Sequence, residues 1–175
     1  MKVAIYPGTF DPVHYGHIDI AQRAAAMVDR LVIAVYSRPL KALLFPTEAR
    51  VAMAKEAVSH LDNVEVEGYD GLTVDYAARV GARFIVRGLR VISDFELEYQ
   101  MALTNRKLSP QIDMVCLMTS LEYAFVSSSI VKEVAMAGGC VEQMAPSFVA
   151  RALQERLVQV DEGTGSEVRL VSLRD

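Results

Sequence analysis

Several kinds of residue and segment are scarce in this chain, and each scarcity excludes something. Its 175 residues include only two cysteines, Cys116 within an apolar run and Cys140 after Gly138-Gly139, with neither metal-ligand spacing nor a disulfide framework. Both are expected to be structural thiols in a reducing compartment. Positive charge is not in excess: 18 Lys and Arg stand against 22 Asp and Glu, a formal net charge of −4. This argues against a nucleic-acid partner held by bulk charge, so any anion must be met by local groups. No apolar run approaches the roughly 20 residues of a membrane span, and the amino terminus shows no charged segment followed by an apolar one and a cleavage site. A cytoplasmic protein without a membrane partner is expected. No internal repeat, low-complexity tract or Pro/Ser-rich linker marks a second domain. The length suits one domain, placed at residues 1–158, with 159–175 as a tail of unassigned role.

What the chain does have is alternation. Apolar runs at 3–6, 31–35, 64–66, 84–86 and 114–118 interleave with helix-like stretches near 16–28, 47–60, 72–80, 92–108 and 128–137, and a closing helix at about 146–158. Strands that are continuously apolar are buried on both faces, which indicates a parallel sheet covered by helices on each side. The expected fold class is α/β: a doubly wound, five-stranded parallel sheet, Rossmann-like, in the order 3-2-1-4-5, with C-terminal helices. In such a sheet the ligand crevice lies beyond the carboxyl ends of the strands, where the strand order reverses. The chemically interesting residues fall there. Thr9 follows the first strand, Lys41 the second, Thr73 the third, Arg87 and Arg90 the fourth, and Tyr123 to Ser129 the fifth.

The most informative run is Thr9-Phe10-Asp11-Pro12-Val13-His14-Tyr15-Gly16-His17, two histidines around a glycine where the first strand gives way to a helix. Free N–H groups and the positive dipole end of a helix favour bound phosphate, and Gly16 has no side chain to hold a ligand off the backbone. His17 stands in the first turn, able to donate to a phosphate oxygen; the alternative is a histidine that only caps the helix. His14 is expected to support this loop, and His60, at the end of the second long helix, to complement its dipole. In Arg87-Gly88-Leu89-Arg90 two planar guanidinium groups flank a glycine just after a strand, a pattern suited to phosphate oxygens. Ser127-Ser128-Ser129 at a helix start offers hydroxyls and exposed N–H groups together, although the outer two could be merely solvated. Glu98 lies beside an Ile92/Phe95/Ala102 stripe expected to face the core. A carboxylate there implies pairing, with Arg90 or Arg106, or a bond to a ribose hydroxyl.

These motifs together resemble the phosphopantetheine adenylyltransferases of bacterial coenzyme A synthesis. The resemblance rests on Pro7-Gly8-Thr9-Phe10-Asp11-Pro12, His14-Tyr15-Gly16-His17, Arg87-Gly88-Leu89-Arg90, Asp94-Phe95-Glu96 and Phe125-Val126-Ser127-Ser128-Ser129 with Val131-Lys132-Glu133, and spans about residues 1–158. The histidine motif alone would indicate only the wider nucleotidyltransferase superfamily. The resemblance implies transfer of an adenylyl group from ATP to 4′-phosphopantetheine, giving 3′-dephospho-coenzyme A and pyrophosphate, with Mg2+ carried mainly on the nucleotide phosphates and no metal ligands from the protein. It implies that Thr9, Phe10 and His17, then Gly88, Leu89, Arg90, Glu98, Tyr123, Ala124, Phe125, Val126, Ser127, Ser128 and Ser129, bind ATP. Thr9, Lys41, Thr73 and Arg87 would hold the acceptor, whose arm would lie along the apolar loop 40–45 and Leu72-Thr73-Val74. His17, Lys41 and Arg90 would carry catalysis, and a homohexamer is the implied assembly. Some relatives have a second lysine where Ala42 stands here. Two alternatives stay open: another phosphate acceptor such as nicotinate mononucleotide, or a non-catalytic nucleotide-binding sensor.

Overall fold

Along the first strand Ala4 and Tyr6 join one apolar cluster and Val3 and Ile5 another, and all four are buried. The second strand divides the same way, Leu31, Ile33 and Val35 against Val32 and Ala34. A strand presents alternate residues to opposite faces, so continuous apolarity here reflects a layer covered on both sides.

In the computed structural model, residues 1–40 and 42–161 are described. The elements in chain order are β1 (Val3–Gly8), α1 (Tyr15–Ala25), β2 (Arg30–Tyr36), α2 (Thr47–Ala57), β3 (Val64–Tyr69), α3 (Thr73–Arg79), β4 (Phe84–Leu89), α4 (Ile92–Leu108), β5 (Asp113–Met118), a 3-10 turn (Leu121–Tyr123), α5 (Ser128–Met136) and α6 (Ser147–Asp161). The sheet is parallel throughout, in the order β3-β2-β1-β4-β5. The fold is therefore the expected one. α6 runs to Asp161, into the segment expected to be a tail from residue 159; Lys41 and residues 162–175 lie outside the described residues.

The larger cluster packs α1, α2, α5 and α6 on one face of the sheet through Ile20, Ala24, Met53, Ala54, Val131, Val149 and Leu153. On the other face α3 supplies Val74, Tyr76 and Ala77.

Four expectations need correction. The strands continue further toward their carboxyl ends than apolarity alone indicated, so Arg87, Gly88 and Leu89 belong to β4, in register with Cys116, Leu117 and Met118 of β5. Ladder hydrogen bonds do not require an apolar side chain, which is why the run appeared to stop at Val86. α2 ends at Ala57, leaving His60 exposed beyond the last turn rather than within it. The Ile92/Phe95 stripe is not core: Ile92 is 84% and Phe95 53% exposed, and Asn105 is the one buried residue of α4. Both cysteines are exposed, because β5 is an edge strand only partly covered and Cys140 lies in a surface loop.

Candidate active site

The strands on either side of the reversal point separate early. β1 and β2 stay in register from Val3 with Arg30 to Gly8 with Val35, whereas the ladder between β1 and β4 holds only Ala4 with Phe84 and Ile5 with Ile85. Beyond that the gap between β1 and β4 opens into a cavity of about 370 Å3. Its walls come from the β1–α1 loop, the end of β4, the first half of α4 and the start of α5, the place that a doubly wound sheet reserves for a ligand.

His17 is set by its neighbours before any ligand arrives. Its ring stacks on His14 with centroids 3.7 Å apart and meets the Phe10 ring edgewise at 4.8 Å. The backbone N–H of His14 donates to His17 Nδ1 at 3.3 Å, so the His17 ring caps the start of α1 from its third position. A neutral His17 therefore carries its proton on Nε2. Capping and a donor role are thus compatible: one ring nitrogen serves the helix and the other keeps the N–H. A Cβ on Gly16 would lie 3.1 Å from His14 Cε1 and 3.2 Å from its Nδ1, so the glycine also makes room for the stacked ring. His14 is buried, and its Nδ1 has no hydrogen-bond partner. Burial, assisted by the charge of Arg90, pushes its pKa from 6.5 down to about 3, so it stays neutral beside His17.

Two guanidinium groups face two carboxylates one helical turn apart on α4. Arg87 bridges the split sheet: Nη1 donates to the Pro7 carbonyl at 2.5 Å, while Nε and Nη2 lie 2.8 and 2.6 Å from Oε1 of Glu98. Burial opposes the charge of Arg87, but its bonds to the Glu98 carboxylate and that group's charge more than compensate, and its pKa is raised. Arg90 forks onto Asp94, with Nε and Nη2 each 3.1 Å from a carboxylate oxygen, and its Nη1 approaches the Val126 carbonyl at 3.4 Å. Burial would raise the Asp94 pKa, and the Arg90 bonds bring it below the ordinary value. Glu98 thus pairs with Arg87, not with Arg90 or Arg106 as the sequence suggested; Arg106 instead lies 3.9 Å from Asp113.

The serines divide their work. Ser127 caps α5, its Oγ accepting the Ile130 N–H at 3.2 Å, and Ser128 Oγ donates to the Pro12 carbonyl at 2.9 Å, tying α5 to the histidine loop. All three serines line the cavity. So do Thr9, Phe10, His17, Arg87, Gly88, Arg90 and Glu98. Phe10 has φ of 51°, a left-handed value unusual for a bulky residue, and its ring is buried.

Other expected site residues stand apart. Leu89, Tyr123, Ala124, Phe125 and Val126 do not form the cavity wall; Val126 is fully buried and Phe125 is 55% exposed. Thr73 is also off the wall, its hydroxyl 3.0 Å from that of Tyr69. Leu44, Phe45 and Val74, expected to flank the acceptor arm, are buried in the core. Lys41 lies outside the described residues.

Two further buried polar residues lie near the site. Asp11 accepts the N–H groups of Leu44 and Phe45, each at 2.9 Å, and the ammonium of Lys132 at 2.9 Å. Arg50 is wholly buried. The sequence carried a signal for it: Arg50 stands three and four residues before Met53 and Ala54, on the buried face of α2.

Comparison with known proteins places this site in a family. The Cytidylyltransferase-like family model matches residues 5–134. Phosphopantetheine adenylyltransferase of Caldanaerobacter subterraneus subsp. tengcongensis is 51% identical over 156 residues, 89% of this chain and 98% of that protein. The protein of the same name from Gloeobacter violaceus is 52% identical over 154 residues, 88% and 96% of the two chains. That of Desulforudis audaxviator is 50% identical over 163 residues, 93% and 100%. Among solved structures, a putative nicotinate-nucleotide adenylyltransferase from Vibrio parahaemolyticus superposes with a TM-score of 0.64 at 14% identity, covering 87% of this chain and 99% of that one. That likeness concerns the fold alone.

Proposed function

The chain belongs to the phosphopantetheine adenylyltransferase family, and we propose that it transfers the adenylyl group of ATP to 4′-phosphopantetheine, releasing 3′-dephospho-coenzyme A and pyrophosphate. The observation that carries the reading is the convergence of Thr9, His17, Arg87, Gly88, Arg90 and the three serines on one cavity at the switch point, in a chain about half identical to relatives of that name. An oxygen of the acceptor phosphate attacks the α-phosphorus of ATP, and the bond from that phosphorus to the bridging oxygen of the departing pyrophosphate breaks. No general base is needed, since the attacking phosphate is already ionised near neutral pH. The protein's task is to align two polyanions and oppose their repulsion. His17, donating through Nε2, stabilises charge at the transferring phosphoryl group, with Arg90 on the nucleotide and Arg87, Thr73 and Lys41 on the acceptor.

Arg87 and Arg90 are partly neutralised by Glu98 and Asp94, which suits groups that must share their charge with a ligand and release it again. Among the described residues no group of three or more His, Cys, Asp or Glu could hold a metal ion. The magnesium of the proposed reaction is the one that the family resemblance implies, carried on the nucleotide phosphates.

A homohexamer in the cytoplasm completes the proposal. It is supported by the apolar residues that α4 leaves exposed and by two free cysteines, which suit a reducing compartment. No helix of the described residues is long and apolar enough to cross a membrane.

Incubation with ATP, Mg2+ and either 4′-phosphopantetheine or nicotinate mononucleotide tests the reading through pyrophosphate release. We expect kcat/KM to favour 4′-phosphopantetheine by at least about 100-fold, since specificity reflects differential binding of the transition state. Comparable efficiencies would defeat the substrate assignment and leave adenylyl transfer standing.

A further inference from the structure

Among the largest fully buried side chains of this protein is a charged one. Arg50 is 0% exposed, in the middle of α2, on the face that also buries Met53, Ala54 and Ala57. A buried charge is ordinarily met by an opposite charge. Among the described residues no carboxylate forms an ion pair with Arg50; Asp11 and Glu48 act on it only at longer range. Its partners are neutral instead. Nη1 donates to the carbonyls of Thr9 at 2.7 Å and Tyr36 at 2.8 Å, Nε to the carbonyl of Phe45 at 3.2 Å, and Nη2 to Thr47 Oγ1 at 2.9 Å.

Those acceptors belong to separate segments. Tyr36 closes β2 and Phe45 precedes α2, so one side chain grips both ends of the loop 37–45. Thr9 belongs to the cavity wall, in the loop after β1. The far end of the loop is anchored further: Asp11 accepts the N–H groups of Leu44 and Phe45, and Arg156 Nε donates to the Leu44 carbonyl at 2.9 Å. All the backbone polar groups of Leu44 and Phe45 are thereby held by side chains. A core position on α2 needs no cation for packing, and an apolar residue would avoid the desolvation cost. What an apolar residue could not do is hold carbonyls from three segments in one plane; the guanidinium, with five donors in a rigid fork, can.

We infer that Arg50 is a positioning residue for adenylyl transfer: it fixes Thr9 on the cavity wall relative to both ends of the loop 37–45, and so sets the acceptor's approach to the nucleotide. The inference rests on the functional reading above, in which Thr9 meets both substrates and Lys41, within that loop, meets the acceptor. Displacement of a positioned group by about 1 Å can cost on the order of 100-fold in rate.

The test uses the full chain with two substitutions, Arg50→Lys and Thr47→Val, assayed with ATP and 4′-phosphopantetheine well below the thermal midpoint of each variant. Arg50→Lys keeps the charge and loses the fork; Thr47→Val removes one acceptor and keeps the guanidinium. For Arg50→Lys we expect kcat/KM for the acceptor to fall about 100-fold per folded molecule, through both lower kcat and higher KM. For Thr47→Val we expect the same pattern at about 3- to 10-fold. If Arg50→Lys does not fold, Thr47→Val decides alone. Variants that fold and retain kcat/KM within about twofold of the parent would overturn the inference and leave Arg50 a staple of the fold. A parent protein that does not turn over 4′-phosphopantetheine would instead defeat the functional reading, and the inference with it.

Discussion

At the scale of single residues, the two histidines of the first loop divide one task by their surroundings. His17 is proposed to matter most when negative charge gathers on the transferring group, so its loss should cost more in the transition state than in the ground state. His17→Ala is expected to lower kcat about 1,000-fold, the upper range for removing one preorganised donor, with little change in ATP affinity. Turnover close to that of the parent would leave His17 with its capping role alone. His14 makes a different prediction, about stability. Its folded-state pKa of about 3 lies below the ordinary 6.5, so between those values the unfolded chain binds a proton that the folded chain does not. Stability from this group is complete above about pH 6.5 and declines as the pH falls toward 3, by about 1.4 kcal/mol per pH unit at most. Carboxylates held below their ordinary pKa, such as Asp19 and Asp94, add their losses at lower pH. Denaturant unfolding between pH 6.5 and 4.5 should therefore show a slope that His14→Asn reduces, and an unchanged slope would mean that His14 does not titrate as its burial requires.

At the scale of elements, what could be read in advance follows from which forces leave a trace in sequence. The five parallel strands were legible because β1 and β2 are buried on both faces, and apolarity records that burial directly; their order follows the doubly wound pattern that such strands imply. The loop after β1, the serine run at α5 and the arginines at and just beyond the end of β4 were legible as candidates because phosphate-binding geometry would need such residue types at such spacings, and they line one cavity. Three things left no such trace. Exact strand ends depend on ladder bonds between backbones, so Arg87 passed for a loop residue when it is within β4. Ion-pair choice depends on helix phase and strand position together: Asp94 and Glu98 are one turn apart, and only the assembled structure directs one to Arg90 and the other to Arg87. Arg50 and Asp11 were visible as residues but not as a network, because their partners are mostly backbone groups far away in the chain. The apolar loop after β2 shows the converse limit. Leu44 and Phe45 proved to be core, since apolarity marks burial without distinguishing a protein partner from a ligand.

At the scale of the whole molecule, α4 is the element that a lone chain leaves unfinished. Its seventeen residues bury only Asn105, while Ile92, Phe95, Tyr99 and Leu103 follow one another at helical spacing and are all more than half exposed. Leu97, Met101 and Leu108 add a second exposed stripe, and the Phe95 and Tyr99 rings stack on each other at 5.9 Å. Monomeric proteins rarely expose a continuous apolar patch of this kind, and covering it is what association with further copies would accomplish. The same helix carries Asp94 and Glu98, which hold Arg90 and Arg87 at the cavity. Assembly and the site therefore meet on one element: whatever steadies α4 also steadies both ion pairs. Two outcomes follow if the chain works as a homohexamer. The thermal midpoint should rise with protein concentration, because association stabilises the folded state by mass action. Leu103→Glu, one turn beyond Tyr99 and away from the cavity wall, should shift sedimentation to smaller species and lower turnover with it, although Leu103 bonds to no group of the site. A parent protein that sediments as a monomer at working concentration would reject the assembly, and a dissociated variant with full turnover would separate assembly from the site.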